Sequence, residues 1–257
     1  MSSLEERRKT FDEVADLYDR FRPGYPAALA EDVIRQSGIP PSGRILEIGC
    51  GTGKATVLFA ARGYRITGLE PGPNLARVAE RNLAGFPDVQ IERSTFEDWQ
   101  PGEADFDLVM AAQSFHFIDA QSGLAKAADA LRPRGAIAIF AHQPQRGDAE
   151  VHRRVQEQYA RLEPTLRPRD EDTGFAEEIE RTGRFETVIV TRYRWQRVFT
   201  AEEYVGLQQT QSNHRLLPAD RRAALLAAIR REIEDHGGSF PVDYVTLLHV
   251  ARRRAPG

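Results

Sequence analysis

Three observations predict an α/β fold built on a doubly wound, mostly parallel sheet. Strand-like and helix-like patterns alternate through residues 44–141, the rhythm of successive βαβ units. Strands such as IAIF (137–140) are apolar at nearly every position, as parallel strands covered on both faces must be. And LEIGCGTGKA (46–55) places three glycines at the first strand-to-helix turn, where the backbone must bend tightly and admit a ligand closely.

The chain begins with apolar positions Phe11, Val14, Leu17, Tyr18 and Phe21 at helical spacing, and RPGYP (22–26) ends that helix. A second helix is predicted over 27–36. Strands follow at 44–49, 64–70, 89–93, 106–112 and 136–141, with helices at 54–63, 73–83 and 123–135 between them. Beyond His142 the rhythm changes. Residues 149–162 and 175–183 read as helices with no strand between them, 185–199 alternates as a long strand, 200–211 and 219–237 read as helices, and 240–253 closes as a second long strand. The two long strands are expected to pair antiparallel. One domain over 1–257 is expected, with a helical lid over 1–40 and helical cap insertions over 142–183 and 200–238.

Composition narrows the function classes. The net charge of −3 gives no overall attraction to nucleic acid or to anionic membranes. The 32 arginines against 3 lysines are scattered among acids rather than clustered. Cys50 is the only cysteine and the chain opens on polar MSSLEERRK, so no internal disulfide, secretory signal or membrane span is expected and cytoplasm is the expected location. The six histidines show no metal-ligand spacing, so no metal is expected.

The glycine turn separates three cofactor classes. A P-loop requires GxxxxGK[ST], but the residue five before Gly53 is Ile48, and Lys54 is followed by Ala55. A dinucleotide fingerprint would need glycine at position 54 or 56, which hold Lys54 and Thr56. What remains is acid-x-G-x-G-x-G: Glu47, Gly49, Gly51 and Gly53. At these residues the chain resembles the class I S-adenosylmethionine-dependent methyltransferases, with their Rossmann-like sheet. The resemblance covers about 44–141 and extends to YDRFRPGYP (18–26), which is similar to the small-molecule branch that includes trans-aconitate methyltransferase-like proteins.

That resemblance implies S-adenosylmethionine as cofactor, with Glu47, Gly49, Cys50, Gly51 and Gly53 around it, Cys50 through its backbone. Glu70, before Pro71 at the end of the second strand, is placed to accept hydrogen bonds from both ribose hydroxyls of an adenosyl group. Thr95, Phe96 and Glu97 in STFEDW match the positions of the family's adenine contacts. Ala112 and Gln113 match those near the methionine end. By the same analogy Tyr18, Arg22 and Tyr25 face the substrate, with Arg22 suited to grip a carboxylate bidentately.

AQSFHFID (112–119) follows the fourth strand at the sheet edge where open α/β sheets bind ligands. Phe115 and Phe117 are candidate substrate walls. His116 is either a third wall residue or a base able to accept the substrate's proton near neutral pH. Tryptophan is common in relatives where Phe117 stands, which leaves the substrate class open. Asp119 is expected to cap the next helix, and His142, in HQP after the fifth strand, is placed where it could reach the pocket but is read as a loop histidine. The expected function is methyl transfer to a small molecule at oxygen or nitrogen. The rivals are a non-catalytic cofactor-binding sensor or scaffold, and an RNA or protein methyltransferase, against which AAQS (111–114) offers no asparagine-proline type tetrapeptide.

Overall fold

The computed structural model describes residues 4–100, 102, 105–145, 147, 150–166 and 174–255. In chain order the elements are α1 (Leu4–Asp12), α2 (Ala15–Phe21), α3 (Ala27–Ser37), β1 (Arg44–Ile48), α4 (Thr56–Ala60), β2 (Arg65–Leu69), α5 (Pro73–Asn82), β3 (Val89–Glu92) and β4 (Phe106–Ala112). A 3₁₀ turn (Phe115–Phe117) then leads into α6 (Ala120–Ala130), β5 (Leu131–Pro144), α7 (Glu150–Leu162), α8 (Phe175–Arg181) and β6 (Ile189–Thr200). The chain finishes with α9 (Ala201–Gln209), α10 (Ser212–Arg215), α11 (Ala219–Asp235) and β7 (Ser239–Arg252).

Seven strands form one sheet in the order β3-β2-β1-β4-β5-β7-β6. The first five are parallel, with Ile48 opposite Leu69, Leu69 opposite Glu92, and Ala112 opposite Phe140. The two long C-terminal strands supply the antiparallel part. The sequence order reverses between β1 and β4. At such a switch point the loops leaving neighbouring strands part to opposite faces and open a crevice.

The chain divides into two compact units. The sheet unit holds 24–142, 172–192 and 246–257. Its central strands are buried on both faces: on β4, Leu108 and Met110 alternate with Val109 and Ala111, and all four are inaccessible. Leu124, Ala127 and Ala128 of α6 share one apolar cluster with Val109, Ala111, Ile137 and Ile139. Each such side chain removed from water contributes on the order of 1.5–3 kcal/mol when large.

The helical unit holds 1–23, 143–171 and 193–245. Its core gathers Phe21 of α2, Val151 and Val155 of α7, Tyr204 and Leu207 of α9, and Leu225, Ile229 and Ile233 of α11. Trp195 stacks on Tyr244 with ring centroids 4.5 Å apart. Thr200 and Glu203 form a reciprocal capping box that starts α9.

Several boundaries differ from the sequence pattern. The helix expected over 123–135 ends at Ala130, because Pro133 and Gly135 cannot continue it, and the chain is already strand at Leu131. The single leading helix is broken at Val14, whose φ of −126° leaves the helical region. α8, expected within a cap over 142–183, packs instead in the sheet unit: Phe175 and Ile179 are buried in the cluster around Phe115 and Ala251. α3 belongs to the same unit rather than to a lid over 1–40. Among the described residues no helix is long and apolar enough to cross a membrane, and no group of histidines, cysteines and acids is arranged to hold a metal ion.

Candidate active site

The C-terminal ends of β1, β2 and β4 carry the predicted residues to one edge of the sheet unit. The turn after β1 is left-handed at Gly49, Gly51 and Gly53, with φ of 66°, 59° and 84°. A Cβ at Gly49 would stand 2.8 Å from the Ser114 Cβ, and one at Gly53 2.9 Å from the Leu83 side chain. Neither position tolerates a side chain. The turn is pinned by Cys50 N–H donating to the Leu69 carbonyl (2.9 Å), by Gly53 N–H to the Cys50 carbonyl (3.0 Å), and by Asn82 Nδ2 to the Thr52 carbonyl (3.0 Å).

Glu70 lies at the end of β2 and is buried. Its two oxygens accept from Gly51 N–H and Gly72 N–H, both at 2.9 Å. A carboxylate can accept more than two hydrogen bonds. Glu47 is inaccessible on β1: Oε2 accepts from the Thr56 hydroxyl at 2.6 Å, while Oε1 has no hydrogen-bond partner. Burial pushes its carboxyl up to about 8, partly offset by the Thr56 hydrogen bond and reinforced by the nearby Glu70 charge. Burial, with the Glu47 and Glu70 charges, also holds the Cys50 thiol well above its ordinary range. Thr52 Oγ1 is a second buried atom without a partner.

After β4 the chain turns sharply. Gln113 adopts φ of 62°, a conformation rare outside glycine. Its N–H donates to the Phe140 carbonyl (2.9 Å) and its Nε2 to the His142 carbonyl (3.1 Å). Ser114 Oγ donates to the Ile48 carbonyl, tying the β4 turn to the β1 turn. The ends of β1, β4 and β5 are thus linked by side chains of two consecutive residues. Pro71 follows Glu70 and leads through Gly72 into α5; Ala112 ends β4, half-buried.

The residues after β3 divide. Thr95 Oγ1 caps the following turn, bonding Asp98 at its amide (3.0 Å) and carboxylate (2.7 Å). Glu97 is exposed. Phe96 is buried in the main cluster, with its ring stacked on Trp99 at 6.1 Å. Phe115 is a correction to the sequence reading: it is inaccessible and meets Phe175 edge-on at 5.7 Å, so its ring packs the core. His116 and Phe117 are half-buried, their rings 4.1 Å apart. Asp119 caps α6 as expected, accepting from Ser122 N–H at 2.9 Å.

Tyr25 packs edge-on against Phe140 (5.1 Å) and beside the His142 ring (5.5 Å). His142 is therefore within β5 and beside the site, not in a loop. The alternation of β5, in which Phe140 and His142 share a face, was the available signal. Tyr18 and Arg22 belong to the helical unit. There Arg22 Nε donates to Thr210 Oγ1, and Nη2 to the Thr210 carbonyl, both at 2.8 Å, with Gln211 Oε1 at 3.2 Å. Its guanidinium also lies 5.0 Å from the Tyr18 ring centre. Its Nε and Nη2 thus hold the turn after α9.

A glycine turn of this shape, an acid at the end of β2 and a switch point between β1 and β4 define an α/β domain that binds a nucleoside-bearing cofactor. The family model for a methyltransferase domain matches residues 45–135, and over that stretch the chain is similar to the class I S-adenosylmethionine-dependent methyltransferases. An uncharacterized methyltransferase from Mycobacterium tuberculosis is 27% identical over 130 residues, 51% of this chain and 51% of the relative. The chain thus aligns with about half the length of such relatives. A solved structure from Anaeromyxobacter dehalogenans, assigned as a type II methyltransferase, superposes with a TM-score of 0.65 at 24% identity, over 92% of this chain and 100% of that one. A [4+2]-cyclase superposes with a TM-score of 0.61 at 16% identity, over 100% of this chain and 98% of the other.

The residues present suit the family's cofactor. Glu70 offers acceptors for a ribose diol. The Glu47 Oε1 and Thr52 Oγ1 atoms, buried without partners, are unusual in a finished core, where polar atoms are almost always satisfied.

Proposed function

We propose that the protein transfers a methyl group from S-adenosylmethionine to an oxygen or nitrogen of a small molecule in the cytoplasm. The observation that carries this reading is the Glu47 to Gly53 turn locked to Glu70 at the ends of two adjacent parallel strands. Glu70 takes the ribose hydroxyls, the turn from Gly49 to Gly53 with Cys50 and Pro71 surrounds the nucleoside, and Thr95 and Glu97 lie toward the adenine. Ala112 and Gln113 lie toward the methionine end. When bound, the cofactor supplies a sulfonium-activated methyl, whose bond to sulfur breaks with the electron pair returning to sulfur.

The chain's own task is positioning and exclusion of water, a contribution that reaches roughly 7–11 kcal/mol in well-oriented reactions. The left-handed Gln113 supports this role, because a strained turn persists only where its surroundings fix it. Tyr25 and Phe117 are the side chains of this edge offered to the substrate. The balance of charge, −3 overall, favours a small acceptor over a nucleic acid.

A second reading is binding of the cofactor without methyl transfer, which the same turn and Glu70 would serve equally; the fold's likeness extends to a protein described as a [4+2]-cyclase. Fold alone does not assign chemistry. Isothermal titration with S-adenosylmethionine and S-adenosylhomocysteine tests the site, and absence of heat with both at saturation overturns it. Release of S-adenosylhomocysteine across a panel of small alcohols, acids and amines then separates the two readings: release dependent on an added acceptor supports transfer, and none across the panel supports binding alone.

A further inference from the structure

The sheet order works as a ruler across the site. If Glu70 and Thr95 at the ends of β2 and β3 serve the adenosyl end, and Gln113 at the end of β4 serves the methionine end, the next strand in the order β3-β2-β1-β4-β5 stands on the side of the methyl acceptor. The last residue of β4, Ala112, is level with Phe140 of β5. His142 therefore projects two residues past the paired level, about 7 Å along the strand, on the same face as Phe140.

Two contacts fix it there. Gln113 Nε2 donates to the His142 carbonyl at 3.1 Å, and the Tyr25 ring lies 5.5 Å from the imidazole. His142 as a residue is half-buried, and its Nδ1 atom is buried, so the ring sits in a defined position. His116 stands differently. It rides on a 3₁₀ turn anchored by buried Phe115, with its ring tilted against Phe117.

We infer that His142, rather than His116, is the imidazole at the acceptor end of the site, and that it receives the acceptor's proton as the acceptor's lone pair forms its bond to the methyl carbon. Tyr25 is its positioning residue, holding the ring from the side. Unshifted imidazoles titrate near pH 6.5, and a base matched to neutral pH contributes on the order of 10²–10⁴-fold. This inference rests on the cofactor reading above.

The test needs no knowledge of the acceptor. The full chain, labelled at its six histidines, is titrated by NMR with S-adenosylhomocysteine or S-adenosylmethionine bound, each resonance being assigned with single His→Gln variants. The two ligands differ by the sulfonium charge, which disfavours a nearby imidazolium. The expected result is a His142 pKa lower by at least about half a unit with S-adenosylmethionine than with S-adenosylhomocysteine, and a smaller difference at His116. If calorimetry shows both ligands binding but His142 has equal pKa values, does not titrate, or shifts less than His116, the inference is overturned. If neither ligand binds, the cofactor reading itself fails, and this one with it.

Discussion

Glu47 in the sheet unit and His214 in the helical unit are both buried ionisable groups kept neutral at neutral pH, and their pH dependences have opposite sign. Glu47 sits among apolar strands with one hydroxyl donor, and its pKa is raised to about 8. His214 is buried beside Tyr159, whose hydroxyl lies 3.0 Å from Nε2, and burial followed by the Arg22 charge lowers its pKa to about 4. Asn213 Oδ1 accepts from the His214 amide at 3.0 Å and lies 3.0 Å from Nδ1, and the Tyr159 hydroxyl also donates to Gln208 Oε1 at 3.2 Å.

The linkage differs accordingly. The stability contributed through Glu47 is fully present below its unfolded value of 4.5 and is lost as pH rises toward about 8. That contributed through His214 is present above 6.5 and is lost as pH falls toward about 4. The sheet unit carries a buried carboxyl with one oxygen lacking a partner at the edge where a ligand is expected, whereas His214 in the helical unit has a polar atom 3.0 Å from each ring nitrogen.

The strongest way to break this contrast is Gly49→Val. The left-handed φ and the approach to Ser114 should cost about 2–4 kcal/mol in urea melts and lower S-adenosylhomocysteine affinity at least about 100-fold, near 2.7 kcal/mol. Gly63→Ala is the control. It shares a positive φ of 79° but meets nothing within 4 Å, so it should cost about 1–2 kcal/mol and leave affinity within twofold. Equal losses of affinity in both would mean that backbone strain, and not the turn's shape, matters.

Next in size, Glu47→Gln keeps a partner for Thr56 while removing the charge. It should flatten the decline of stability between pH 5 and 8 and gain on the order of 2–4 kcal/mol at pH 8, read from hydrogen exchange of β4 amides. An unchanged slope would show that Glu47 does not ionise in the fold. His214→Gln should act the other way on α11 amides: about 1 kcal/mol less stable at pH 7 through the lost Tyr159 partner, and less sensitive to acid below pH 6.5. The smallest effect is Thr200→Ala, which opens the capping box of α9 and should lower stability by about 1 kcal/mol, with no change in cofactor affinity by calorimetry.

Much of the sheet unit was legible in the sequence because its signals are local. Apolar runs of strand length, alternating with helical spacing, give the parallel strands, and the three glycines mark the turn without reference to distant residues. The site was legible where backbone shape makes it, at Glu47 to Gly53 and at Glu70. It was not legible where packing assigns roles. FHF reads as a symmetrical aromatic frame, yet Phe115 is core while His116 and Phe117 are not, a division set by Phe175 some 60 residues on. Arg22 was expected to meet a ligand, but Thr210 and Gln211 take its Nε/Nη2 edge. His142 read as a loop residue because HQP suggested a strand end, whereas β5 continues to Pro144.

The sequence by itself determined the order of strands and helices, the left-handed turn and the acid that closes on it, since these follow from periodicity, from glycine's freedom at positive φ and from the spacing of neighbouring residues. Tertiary structure alone decided which aromatic rings are core, which arginine edge is occupied, and which histidine stands beside Gln113. Those outcomes depend on contacts between residues far apart in the chain, and no local propensity encodes which of several similar side chains will find a partner across the fold.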